Sequence, residues 1–262
     1  MITSLTNQRV KNIAAMQGKA KLRNENGIFI AEGEKMFLEA PCDRILEVYV
    51  AEGSDFREET IEKLKTVSYE TVSREVFAKM ADTITPQGIL CVIKQYYYSL
   101  DELLEGIEEP LFIVLEDIQD PGNLGTIMRT AEGAGITGVI MSKGTVDIYN
   151  PKTIRATMGS IYRVPFLYTD NLMNTIQMLK EQKISICAAH LSGTRWYDEE
   201  SYLKRTAFLI GNEGNGLTKE ITDIADICVK IPMDGKLESL NASVAAALFM
   251  YEANRQRRQQ DV

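Results

Sequence analysis

From residue 111 onward the chain alternates short, near-continuous apolar runs with stretches of helical period, and this alternation constrains its fold more than any other feature. It predicts strands at 111–115, 138–141, 184–189, 206–210 and 228–231. Helices are predicted at 124–134, 151–158, 171–182, 217–224 and about 240–257. Runs without polar alternation belong to strands buried on both faces, so a mostly parallel α/β sheet with helices on either side is expected. In the last helix Leu240, Val244, Ala247, Leu248 and Tyr251 form one apolar stripe. Earlier apolar runs at 28–31, 45–51 and 89–93 alternate with helical patterns at 34–40 and 61–65, the pattern of a second, smaller α/β domain. Between the two lies SLDELLEGIEEP, five acids in twelve residues closed by a proline. The expected organisation is a basic segment and small domain at 1–99, an acidic linker at 100–110 and the larger domain at 111–262, a division that suits 262 residues.

With 29 basic and 37 acidic residues the net charge is −8, which argues against an indiscriminate nucleic-acid coat protein. The charge is uneven, however. Residues 1–24 carry Arg9, Lys11, Lys19, Lys21 and Arg23 and no acid, a candidate phosphate-docking segment. Lys152 and Arg155, three apart on a helix opened by Asn150-Pro151 and flanked by Lys143 and Arg163, form a second candidate stripe. Solvated helix faces are the competing reading of both. Cys42, Cys91, Cys187 and Cys228 make no C-x-x-C pair and have no nearby histidine, so no metal site or redox dithiol is expected. The opening residues lack a hydrophobic signal core, and the apolar stretch near 242–251 is too short to span a bilayer. A reducing, cytoplasmic setting without membrane attachment is therefore the expectation.

Three segments carry glycines or polar residues at element ends. Gly133, Gly135 and Gly138 spell G-x-G-x-x-G, but they follow a helix and precede a strand, the reverse of a dinucleotide site, and read as a helix C-cap. Residues 211–216, GNEGNG, have the productive order of strand, glycines, helix. That loop lacks the lysine and hydroxyl residue of a triphosphate loop and places Glu213 where a phosphate needs positive charge, so it is either a plain turn or the seat of a phosphate-free ligand. In IPMDGKLESLNASVAAALFMYEANRQR, Ser239 or Asn241 is the N-cap candidate of the last helix.

Taken in order, Asn123 with Arg129 in DPGNLGTIMRTAEGAG, then IGNEGNGL at 210–217, then the IPMDGKLESLNAS segment resemble the three motifs of the SpoU (TrmH-like) RNA ribose 2′-O-methyltransferases of the SPOUT superfamily. The resemblance covers roughly 111–258. NPKTIRATMGSIYRVP at 150–165 is similar to the family's linking segment, and IFIAEGEKMFLEA to the small RNA-binding domain many members carry at the N-terminus. It implies a methyltransferase domain with a deep trefoil knot near its C-terminal end, S-adenosylmethionine bound in a bent form, and a homodimer whose active sites draw residues from both subunits. It further implies a cofactor pocket lined by Gly211, Ile231 and Leu240, with backbone around Glu213, Pro232 and Met233, and a polar catalytic set of Asn123, Arg129, Glu213, Ser239 and Asn241.

Methyl transfer from a sulfonium to a ribose hydroxyl needs in-line geometry and stabilisation of charge on the oxygen, without a metal. Arg129 is the expected stabiliser, because a guanidinium stays protonated and makes a poor base. Asn123 and Asn241 are expected to orient the arginine or the ribose, and Glu213 to fix the loop or the arginine's planar fork. His190, the only histidine, is expected to be structural or peripheral, while Trp196 and Tyr197 stand between base stacking and packing. The expected reaction is 2′-O-methylation of structured RNA, ribosomal RNA ahead of transfer RNA. The alternative is a catalytically silent RNA-binding assembly factor of the same fold.

Overall fold

The structure, a computed structural model, describes residues 1–259. Its elements run α1 (Gln8–Gly18), α2 (Ala20–Asn26), β1 (Ile28–Glu32), α3 (Glu34–Glu39), β2 (Ile45–Ala51), α4 (Glu58–Leu64), β3 (Glu70–Val72), α5 (Arg74–Met80), β4 (Ile89–Lys94) and α6 (Leu100–Leu104). They continue with β5 (Leu111–Leu115), α7 (Pro121–Ala134), β6 (Gly138–Ser142), α8 (Pro151–Thr157), β7 (Phe166–Thr169), α9 (Leu172–Glu181) and β8 (Ser185–Ala189). Last come β9 (Arg195–Trp196), β10 (Thr206–Ile210), α10 (Lys219–Asp223), β11 (Ile227–Lys230) and α11 (Ala242–Arg258). They form two compact units: Met1–Tyr96 with Asp147–Tyr162, and Tyr97–Val146 with the chain from Arg163 onward. The segment carrying α8, placed by its sequence position inside the larger domain, thus packs with the first unit.

In the first unit four strands pair in the order β1-β4-β2-β3, antiparallel except for the β2–β3 edge. Val10 and Ile13 of α1 and Val76, Phe77 and Met80 of α5 close one core with Tyr49 and Leu90 of the sheet. Arg23 departs from the exposed basic segment it was assigned to. It is only 3% exposed; its guanidinium donates to the Met16 and Gln17 carbonyls and meets Asp147 at 2.5 Å. Its charge therefore holds residue 147 to α1 and α2 and is not available to a phosphate.

The second unit is built on seven parallel strands in the order β7-β6-β5-β10-β8-β11-β9. β5, β6 and β10 are buried along their whole length, the burial that near-continuous apolar runs require. β7 and β9 escaped the pattern because they lie at the edges, where β7 alternates in burial and β9 is exposed. From β5 the chain builds outward through β6 to β7, then crosses to the other side, so β5 and β10 flank the point where strand order reverses. Open α/β sheets bind ligands beyond the carboxyl ends of strands at such a point. No helix among the described residues is long and apolar enough to cross a membrane.

Candidate active site

The carboxyl ends of β8, β10 and β11 and the N-terminal half of α11 enclose a cavity of about 320 Å³, lined by Gly211 to Leu217, Ile231, Met233, Ser239, Leu240, Ala245 and Phe249 among others. Of the residues assigned to a cofactor, Gly211, Glu213, Ile231, Met233 and Leu240 line it, and Pro232 does not. The loop after β10 closes on itself: Asn212 and Gly216 exchange both backbone hydrogen bonds, at 3.1 and 2.9 Å. A Cβ at Gly211 would fall 2.1 Å from the Gly216 carbonyl carbon and 2.2 Å from the Leu217 nitrogen, so only glycine permits this closure. The Asn212 side chain braces the turn, accepting from the Gly214 and Asn215 N–H groups and donating to the Asp117 carbonyl at 2.7 Å.

Beside the cavity three motifs meet in one polar network. Glu213 accepts from the Gln119 N–H at 3.0 Å, the Asp120 N–H at 3.1 Å and Asn123 Nδ2 at 2.9 Å. Asn123 Oδ1 in turn accepts from Asn241 Nδ2 at 3.0 Å. Both helix starts are formed here. Asp120 caps α7 with proline in its first turn, and Asn241 caps α11 through Ser243 and Val244. Burial pushes the Glu213 carboxyl up, but the donors from Asn123, Gln119 and Asp120 outweigh it and hold the group below its ordinary value. Glu213 is thus an anion fixed between the loop after β5 and the loop after β10.

Arg129 stands apart. It is exposed on α7 and makes no hydrogen bond or ion pair among the described residues, so Glu213 does not hold its fork. Ser239 is an exposed residue of the cavity lining, and Asn241, rather than Ser239, is the helix cap. His190 also lines the cavity, with Nδ1 2.7 Å from Ser192 Oγ. Tyr197 packs edge-on against Phe249, while Trp196 is partly exposed beneath the Lys230 ammonium. The Gly135 N–H bonds back to Ala131 and Glu132 in a left-handed C-cap, as the order of elements requires. Sequence reasoning missed Asn212 and the pair Glu116 and Thr218, whose side chains tie the start of α10 to the end of β5 at 2.7 Å. The only signal for Glu116 and Asn212 was position, just after two buried strands, while Thr218 is the N-cap of α10.

The second unit thus combines a parallel α/β sheet with a cavity at the carboxyl ends of its strands and an adjoining asparagine–carboxylate network at the switch point. The SpoU methyltransferase AviRb from Streptomyces viridochromogenes, solved in complex with AdoMet, matches with a TM-score of 0.87 at 25% identity over 96% of this chain and 98% of that one. The AdoMet-bound rRNA methyltransferase from Sinorhizobium meliloti matches with a TM-score of 0.84 at 31% identity over 97% of each chain. The 23S rRNA (guanosine(2553)-2′-O)-methyltransferase RlmP of Bacillus subtilis (strain 168) is 32% identical over 253 residues, 95% of this chain and 97% of that relative. Residues 7–91 match the MRM3-like substrate binding domain and residues 110–251 the SpoU rRNA Methylase family. The chain belongs to the SpoU rRNA methylase family.

Proposed function

We propose that the chain transfers the methyl group of S-adenosylmethionine to a ribose 2′-hydroxyl of structured RNA, with ribosomal RNA as the favoured substrate and transfer RNA as the second. One observation carries the reading: Glu213 belongs both to the cavity lining and to the network that joins Asn123 and Asn241, so ligand cavity and polar site adjoin. The cavity suits a cationic, phosphate-free cofactor. It offers loop backbone, the apolar side chains of Ile231, Met233 and Leu240, and the carboxylates of Glu213 and Glu238. Gly211, Ile231, Met233 and Leu240 hold the cofactor, with Pro232 contributing only chain direction. S-adenosylmethionine supplies an electrophilic methyl group on its sulfonium.

Arg129 stabilises the negative charge that develops on the 2′-oxygen, and as a permanent cation it does not remove the proton. Asn123 and Asn241, locked to each other and to Glu213, position the ribose, with the Ser239 hydroxyl beside them at the cavity. The active form is a homodimer through this unit, its C-terminal segment knotted as the family resemblance implies, so that the exposed Arg129 finds its partners in RNA or in a second copy. RNA docks on Arg9, Lys11, Lys19 and Lys21, all exposed, and on Lys152 and Arg155, although Arg155 is shared with Asp82 at 2.7 Å. The site of action is the cytoplasm, where RNA of this kind is modified.

Incubation with labelled S-adenosylmethionine and bulk RNA from a matched deletion strain, followed by nucleoside mass spectrometry, tests the reading. A new 2′-O-methylated nucleoside that is absent with Arg129→Ala supports it. Base methylation, or no transfer to any RNA despite cofactor binding, overturns it.

A further inference from the structure

The first unit contains a cavity of its own, about 330 Å³, between α1, α2 and the sheet. Its floor is apolar, made of Ile13, Met16, Leu22, Ile28 and Val92, and its rim carries Arg9, Asn12, Asn26 and Glu47. Each rim residue holds back hydrogen-bonding capacity. Asn12 Oδ1 accepts from Gln8 at 2.7 Å, leaving its amide N–H groups unspent. Asn26 Nδ2 donates to the Leu22 carbonyl at 2.7 Å, leaving its oxygen. Tyr49 donates to Glu47 Oε2, leaving Oε1. The Arg9 guanidinium has no hydrogen bond or ion pair among the described residues; only its backbone N–H is used, on Asn7. An apolar floor below two acceptors, an amide donor and a cation is the complement of a planar heterocycle joined to a phosphate.

We infer that this cavity receives one splayed-out nucleotide of the substrate RNA, with guanine the favoured base. Single-stranded RNA is read by taking an unstacked base onto an apolar surface and bonding its Watson–Crick edge. Guanine alone presents two adjacent donors, N1–H and N2–H, on that edge, and a carboxylate such as Glu47 is its matching acceptor. The oxygen of Asn26 adds a further acceptor, Asn12 donates to a ring acceptor, and Arg9 takes the phosphate. The other bases lose at least one of these pairings. Lys11 on α1, Lys19 at the junction of the two helices and Lys21 on α2 draw the polyanion toward this unit without reading it. The inference rests on the proposed RNA substrate and adds the subsite that anchors it.

Binding of the full chain to fluorescent single-stranded hexanucleotides tests it, comparing oligo-U with oligo-U carrying one central guanine. The guanine-containing strand is expected to bind about tenfold tighter, the discrimination one good bidentate contact provides. Glu47→Gln should erase the difference between the two strands, whatever it does to their common affinity, whereas Arg9→Ala should weaken both strands alike. Asn26→Ala, on an exposed position, should reduce the preference without touching Tyr49. Equal affinity of the wild type for both strands, or a preference that survives both Glu47→Gln and Asn26→Ala, overturns the inference. Methylation of bulk RNA, read separately by mass spectrometry, keeps the two claims distinct. Methylation without guanine preference removes this subsite alone, and guanine preference without methylation removes the proposed reaction and leaves the subsite standing.

Discussion

The two glycine-rich turns of the second unit have similar composition and do different work. At 133–138 the chain leaves a helix for a strand; Gly135 adopts a left-handed conformation, and a Cβ there meets nothing within 4 Å. At 211–216 the chain leaves a strand for a helix, and a Cβ on Gly211 would lie inside the backbone of Gly216 and Leu217. The first glycine is needed for a torsion angle, the second for space beside a cavity. Helix α7 begins at the network around Glu213 and ends at the Gly135 cap, so it spans from one kind of turn to the other. The lesson is that order relative to strand and helix, rather than glycine count, decides which turn faces a ligand.

Gly211→Ala should break this contrast most severely. The loop must open to admit the methyl group, and the expected outcome is loss of detectable S-adenosylmethionine binding by calorimetry in a protein whose circular dichroism is unchanged. A variant that still binds cofactor with ordinary affinity would show that Gly211 is a simple turn glycine like Gly135. Arg129→Ala comes next. About 10²–10³-fold of turnover should disappear with cofactor affinity retained, the loss seen when one group that stabilises developing charge is removed. Arg129→Lys should recover little of it, because a point charge does not replace a planar fork. Normal turnover in the lysine variant would reduce the arginine to a general electrostatic role.

The contrast also explains what was legible in the chain. β5, β6 and β10 announced themselves by unbroken apolar runs because both faces are covered, and Asn123, Glu213 and Asn241 by their place in three ordered motifs. The edge strands β7 and β9 lacked such runs, and α1 and α2 were hidden by a polar, basic composition that speaks of charge before period. The burial of Arg23 depends on Asp147, more than a hundred residues away, which no local pattern reveals. Of the two roles expected for Glu213, fixing the loop or the arginine's fork, its hydrogen bonds fit the first, and the reason is geometric. Arg129 lies six residues beyond Asn123, about 9 Å along the helix and about 120° around it, so a carboxylate bonded at the first turn does not reach it.

Glu213→Gln sharpens the comparison through pH. The carboxyl sits below its ordinary value in the folded protein, so its contribution to stability is fully present above the unfolded pKa and is lost as pH falls through the folded one. Thermal melts of the wild type and Glu213→Gln should therefore run parallel from pH 7 down to the ordinary carboxylate range and converge as pH falls below it, as the wild type alone loses an ionised acceptor. At neutral pH the glutamine variant should keep the fold and turn over about tenfold more slowly, since its amide replaces one acceptor among three donors with a donor. Parallel melts across the whole range would mean that the network does not depend on the charge.

The smallest effect belongs to the other turn. Gly135→Ala places a side chain at φ +72°, a conformation that costs an ordinary residue roughly 1 kcal/mol, but no neighbouring atom must move to admit it. The variant should melt a few degrees lower, bind S-adenosylmethionine with unchanged affinity and methylate RNA at the wild-type rate. Gly135→Asn should recover part of the lost stability, because asparagine tolerates the left-handed region better than alanine. If Gly135→Ala instead lowered turnover out of proportion to its stability, the C-terminal end of α7 would be coupled to the Glu213 network at its N-terminal end. The helix would then transmit strain between the two turns, and the division of labour between torsion and space would not hold.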